Sequence, residues 1–181
     1  MRKRTDKSRY IEFHHSYYIV AIGFLITGHI LNLIIFTTLI IIHEFGHFIA
    51  AKLMSVKVKK ILIYPFGGIT KLDTIINLEI EKELLIATSG IIMQFIFYLV
   101  ICILHSHHLI RNYTMNLYTI YNNNIIFFNL IPIYPLDGSR IITLLLETFL
   151  SYKIANILTI TLSTILILII IYMLIKKIFL I

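Results

Sequence analysis

Four long stretches of this chain are almost free of charge, and its charged residues collect in the segments between them. Phe13 to Ala51 holds one charged residue, while Leu84 to Ile110, Asn112 to Leu136 and Ile154 to Ile175 hold none. Each run exceeds the roughly 20 residues a helix needs to cross a bilayer. A single helix over Phe13 to Ala51 would be about 58 Å long against a hydrocarbon core of about 30 Å. It must fold back, and Thr27-Gly28-His29 through Asn32 is its most polar point. The pattern therefore predicts about five transmembrane helices, near residues 17–27, 31–53, 84–104, 117–132 and 154–174. Between the second and third, Lys57 to Tyr64 and Ile69 to Asp73 flank Pro65-Phe66-Gly67-Gly68. Two β-prone runs around a Pro/Gly turn predict a hairpin-like loop near residues 57–73. If that loop dips into the membrane, its backbone must lie against protein or a wet cavity.

Composition agrees with this all-α polytopic reading. Of 181 residues, 59% are hydrophobic and 14% charged, against about a quarter charged in soluble domains. The chain reads as one membrane-embedded domain over 1–181, with a basic cytoplasmic tail at 1–16 that is retained rather than cleaved. The net charge of +7 argues for anionic lipid and against nucleic acid, because the cations flank apolar segments. Arg2, Lys3, Arg4, Lys7 and Arg9 place the N-terminus in the cytoplasm, and Lys52, Lys57, Lys59, Lys60 and Lys71 return the second loop there. Lys176 and Lys177 break the alternation that five spans impose. One cysteine, Cys102, excludes a disulfide framework and a cysteine zinc site.

The chemistry concentrates at His43-Glu44-Phe45-Gly46-His47, an H-E-x-x-H motif. Residues four apart share a helix face, so both imidazoles can reach one metal. Glu44, the one charge in its apolar run, can then act on a metal-bound water. A catalytic zinc needs a third protein ligand. Among the carboxylates Asp137 alone directly follows an apolar span, in Asn129-Leu130-Ile131-Pro132-Ile133-Tyr134-Pro135-Leu136-Asp137-Gly138. The expected topology delivers it to the cytoplasmic half of the bilayer, where the histidines also lie. His14 and His15 read as interfacial anchors and Gln94 as an amide tying helices together. The pattern leaves a second class open: a non-enzymatic transporter or scaffold with a structural metal site.

Together, the H-E-x-x-H motif, the Pro65-Phe66-Gly67-Gly68 loop and the Asn129…Pro135-Leu136-Asp137-Gly138 turn resemble the site-2 proteases, intramembrane zinc metalloproteases. The branch most resembled is the stage IV sporulation FB branch, which processes pro-sigma-K. The resemblance implies one zinc ion on His43, His47 and Asp137, with Glu44 as general base and then acid. It implies that Asn129 steadies the substrate or oxyanion and that Phe66 and Pro135 lie near the substrate. Gly67 lies in the loop expected to pair with an extended substrate segment. A membrane-associated pro-sigma factor as substrate, inhibitory membrane proteins as partners and the mother-cell membrane around the forespore as location are further implications. Two departures touch packing: Gly90 precedes Ile91 where the family often has proline, and Ser139 stands where a second glycine is usual. The branch's additional span and cytoplasmic CBS domain are expected to be lacking.

Overall fold

The computed structural model describes residues 11–65, 67–72 and 78–179. In chain order they form β1 (Ile11–Phe13), α1 (His15–Ile26), α2 (Ile30–Leu53), β2 (Val58–Tyr64), β3 (Gly67–Leu72), α3 (Ile80–Ser106), α4 (Asn112–Leu130), α5 (Asp137–Glu147) and α6 (Tyr152–Phe179). Five of the helices fall on the five expected spans. Three, α2, α3 and α6, are long and apolar enough to cross a membrane, while α1 is a shorter apolar helix. The arginines and lysines of the N-terminal tail, Phe66 and Asp73 lie outside the described residues.

The helix ends are set by local chemistry. At the end of α1, the Gly28 N–H donates to Leu25 O and the His29 N–H to Phe24 O, with Gly28 at φ +74°. This pair of bonds satisfies carbonyls that the helix leaves unpaired, and the left-handed residue between them suits glycine. The chain thus turns at Thr27-Gly28-His29, as the polarity there predicts. The same closure ends α2, where Ser55 takes the left-handed position and Val56 N–H donates to Ala51 O at 2.8 Å. At its start, α1 is capped by His14, whose Nδ1 accepts from the Ser16 N–H.

The chain divides into two compact units, residues 1–77 with 89–125 and residues 78–88 with 126–181. In the first unit the expected hairpin is present: β2 and β3 pair antiparallel from Tyr64↔Gly67 to Val58↔Leu72, with an irregularity between Val58 and Lys60. Strand β1 adds in parallel to the other edge of β2, Glu12 opposite Leu62. The first unit is cored by Ile35, Leu39 and Ile40 of α2, Ile61 and Ile63 of β2, and Tyr118 and Ile125 of α4. Ile61, Leu62 and Ile63 are all buried in succession, the pattern of a central strand covered on both faces. Pairing the hairpin internally satisfies backbone groups that would each cost several kcal/mol if left unpaired in lipid.

In the second unit α5 packs on α6. Thr143 Oγ1 of α5 donates to Thr159 Oγ1 of α6 at 3.0 Å. Ser163 of α6 clips the turn before α5, donating to Pro132 O at 2.9 Å and accepting from the Tyr134 N–H at 3.1 Å. The turn contains a cis Tyr134–Pro135 bond. It also needs glycine at position 138, where a Cβ would lie 2.3 Å from Leu130 O. Arg140 of α5 pairs with Glu83 in the first turn of α3.

Candidate metal centre

The buried residues of α2 run Ile35, Leu39, His43, His47 and Ala51, with Ile40, Glu44 and Gly46 beside them. A four-residue step is one of the natural ridges of a helix surface, so the two histidines continue a row that begins as ordinary packing. His43, Glu44 and His47 are 3%, 3% and 7% exposed. An ionisable group so enclosed within an apolar helix needs partners, and each of the three has them.

The imidazoles meet edge-on, with ring centroids 4.8 Å apart and an interplanar angle of 78°. Their Nε2 atoms lie 3.1 Å from each other. Two nitrogens bound at 2.0–2.1 Å to one tetrahedral ion would be about 3.3 Å apart, so the pair already has nearly the spacing of a shared metal. The opposite nitrogens are held by side chains: His43 Nδ1 lies 2.8 Å from Gln94 Oε1, and His47 Nδ1 lies 3.3 Å from Ser89 Oγ. Holding Nδ1 turns Nε2 toward a metal. Ligand atoms of His43, Glu44 and His47 fall within 4.8 Å of one another. This buried nitrogen-and-carboxylate set fits zinc.

Glu44 is placed by the hairpin. Thr70 Oγ1 of β3 donates to Glu44 Oε2 at 2.7 Å. Gly68, two residues earlier on the same strand, lies against the carboxylate so closely that a Cβ would come 2.3 Å from Glu44 Cγ and 2.6 Å from Oε1. Strand β3 thus leans its side-chain-free position on the acid and ties down one oxygen. Two further glycines bring α3 in. A Cβ at Gly90 would lie 2.6 Å from His47 Nε2 and 2.7 Å from His43 Nε2, and one at Gly46 would lie 2.4 Å from Ser89 O.

Of the residues expected in the site, His43, Glu44 and His47 are brought together, and Gly67 stands at the start of β3 opposite Tyr64. Asn129, half-buried in the last turn of α4, exposed Pro135, and half-buried Asp137, the first residue of α5, belong to the second unit. A carboxylate at a helix N-terminus sits in a favourable field. Phe66 lies outside the described residues. Gly68, Thr70, Ser89 and Gly90 are not assigned to this centre by sequence alone, which gives Gln94 only a packing role. A signal was present, since Gly90 and Gln94 are four apart and share a face, and Gln94 is an isolated amide in an uncharged run.

Comparison with known proteins places the chain in a family. The chain superimposes on the solved structure of the site-2 protease from Methanocaldococcus jannaschii with a TM-score of 0.66 and 31% identity, covering 94% of this chain and 83% of that one. The chain belongs to the site-2 protease family. The model of peptidase family M50 matches residues 31–110, a segment that includes H-E-x-x-H and the hairpin. The family resemblance read from the three motifs therefore holds, as does a multi-pass, mainly helical membrane fold with a small sheet. Among curated relatives, stage IV sporulation protein FB of Bacillus subtilis (strain 168) is 31% identical over 156 residues, 86% of this chain and 54% of the relative. A zinc metalloprotease of Methanocaldococcus jannaschii is 37% identical over 117 residues, 62% of this chain and 33% of the relative. The chain spans about half the length of the first and a third of the second.

Proposed function

We propose that this chain is a membrane-embedded zinc metallopeptidase domain that hydrolyses a peptide bond within or beside the bilayer. The observation that carries the reading is the convergence of His43 Nε2 and His47 Nε2 beside a buried Glu44. His43, His47 and Asp137 would hold the ion; for Asp137 the support is its motif position, directly after the proline turn. Zinc there supplies Lewis-acid polarisation of a carbonyl and a water acidic enough to ionise near neutrality. Glu44 takes the water proton and later returns it to the departing amine, a general base turned acid. Thr70 holds Glu44 Oε2 and so orients the carboxylate that exchanges that proton. Asn129 donates to the oxygen that gains charge at the scissile carbonyl. A helical substrate hides its carbonyls in hydrogen bonds, so the cleaved segment must be extended. Phe66 and Gly67 of the hairpin receive it by strand pairing, with Pro135 beside it.

Kinship with stage IV sporulation protein FB supports a membrane-associated pro-sigma factor as the substrate, inhibitory membrane proteins as partners and the mother-cell membrane around the forespore as location. The charge pattern supports a cytoplasmic N-terminus, a site in the cytoplasmic half of the bilayer and contact with anionic lipid.

Glu44→Gln is expected to lower cleavage of a co-expressed pro-sigma substrate by about 100- to 10,000-fold, with membrane insertion and zinc content retained. Full cleavage by this variant would reject the enzymatic reading in favour of a structural metal. Asp137→Asn should lower the zinc content of the purified chain; unchanged metal would remove Asp137 from the ligand set.

A further inference from the structure

Gln94 lies in the middle of α3 and is 0% exposed. A buried amide is costly unless its oxygen and its NH2 group find partners, so the partners it has chosen carry information. Its Nε2 donates to Oδ1 of Asn122 on α4 at 3.4 Å, and Asn122 is itself 2% exposed. With the NH2 group committed to that oxygen, the end of Gln94 that faces His43 Nδ1 at 2.8 Å is the carbonyl. A carbonyl only accepts, so Nδ1 of His43 must carry the hydrogen. In a neutral imidazole the other nitrogen then carries the lone pair, and that nitrogen, Nε2, is the one that faces His47. Ser89 does not impose the same choice on His47, because a hydroxyl either donates or accepts.

We propose that Gln94, itself oriented by Asn122, is a positioning residue that locks His43 in its Nδ1–H tautomer and thereby sets the affinity of the histidine pair for zinc. The proposal rests on the metallopeptidase reading and names the device that prepares one of its ligands. It assigns to an uncharged amide the place that a carboxylate or backbone carbonyl commonly takes behind a metal-binding histidine. Inside a membrane-spanning helix the amide does so without adding a charge that the surrounding apolar medium would penalise.

The test uses the full chain purified in detergent, with zinc affinity measured by competition against a chromogenic chelator. Gln94→Leu keeps the volume but offers no acceptor, and should weaken zinc binding by about 10- to 100-fold. Gln94→Glu keeps an acceptor at the same reach and should stay near the parent affinity. Asn122→Leu frees the Gln94 amide to rotate and should weaken binding less than Gln94→Leu does, whereas Asn122→Asp keeps the acceptor for the amide and should not. Histidine-selective 15N NMR of the metal-free chain gives a second readout: one tautomer at His43 in the parent, a mixture in Gln94→Leu. Parent-like zinc affinity and a single tautomer in Gln94→Leu would overturn the proposal, as would equal losses in Gln94→Leu and Gln94→Glu, which mark packing alone. Failure of the parent chain to bind zinc would instead overturn the metallopeptidase reading, and the proposal with it.

Discussion

Helices α2 and α6 pass the same test of length and apolarity, with mean hydropathies of 1.8 and 2.7, yet 39% of the apolar window is buried in α2 and 11% in α6. The difference lies in what their polar residues require. In α6 the buried polar groups are hydroxyls, Thr159 and Ser163. A hydroxyl can satisfy itself on its own helix, as Thr159 does by donating to Ala155 O. Such a helix needs a partner along one narrow strip and leaves its remaining side chains to the lipid. In α2 the polar groups are two imidazoles and a carboxylate, which a helix cannot satisfy internally. They draw in Gln94, Ser89 and Thr70 from α3 and β3, and the neighbouring backbones approach through Gly46, Gly68 and Gly90. Charge capacity, more than hydropathy, decides which apolar helix becomes a core.

Substitutions that test this contrast fall in a clear order. Gly90→Ala should have the largest effect, since its Cβ would come within 2.7 Å of ring atoms of both histidines. Those rings are held at their other nitrogens, so the expected result is zinc affinity reduced by about 10- to 100-fold, together with about 1–3 kcal/mol of overpacking strain. Chelator competition and thermal unfolding in detergent measure the two parts. An unchanged affinity would mean that the rings are not confined as described.

Ser163→Ala is the corresponding change on α6. It removes the hydroxyl that clips Pro132 O and the Tyr134 N–H, and should cost about 1–3 kcal/mol through the groups left unpaired. An unchanged melting temperature would show that the turn holds without its clip. The smallest effect belongs to Leu168→Ala. Its side chain is 60% exposed on α6, and truncation there should shift stability by no more than about 0.5 kcal/mol. A loss of several times that value would show that this face of α6 is covered by protein rather than lipid.

Local features of the sequence predicted much of this structure. H-E-x-x-H is legible because four residues return to the same helix face within one continuous element. The hairpin is legible because Pro65-Phe66-Gly67-Gly68 punctuates two β-prone runs. Two elements were not foreseen. Strand β1 is three residues long and exists through parallel pairing with β2, its Glu12 opposite Leu62 fifty positions later. Helix α5 carries Asp137, Arg140 and Glu147 among its apolar residues, which masks it in a search for uncharged spans. Its apolar positions Ile141, Leu144 and Leu145 do follow a helical period.

What the sequence determines by itself is the set of apolar helices, the turns between them and the pair of imidazoles with an adjacent carboxylate, because each depends on spacing along one element. Tertiary structure decides which face of α3 meets α2, that β3 rather than another strand lies on Glu44, and that an amide in an apolar run stands behind His43. Those choices rest on hydrogen bonds between residues 26 and 51 positions apart. No local pattern encodes such a pairing; it follows from buried polar groups that must each find a partner where no water is available.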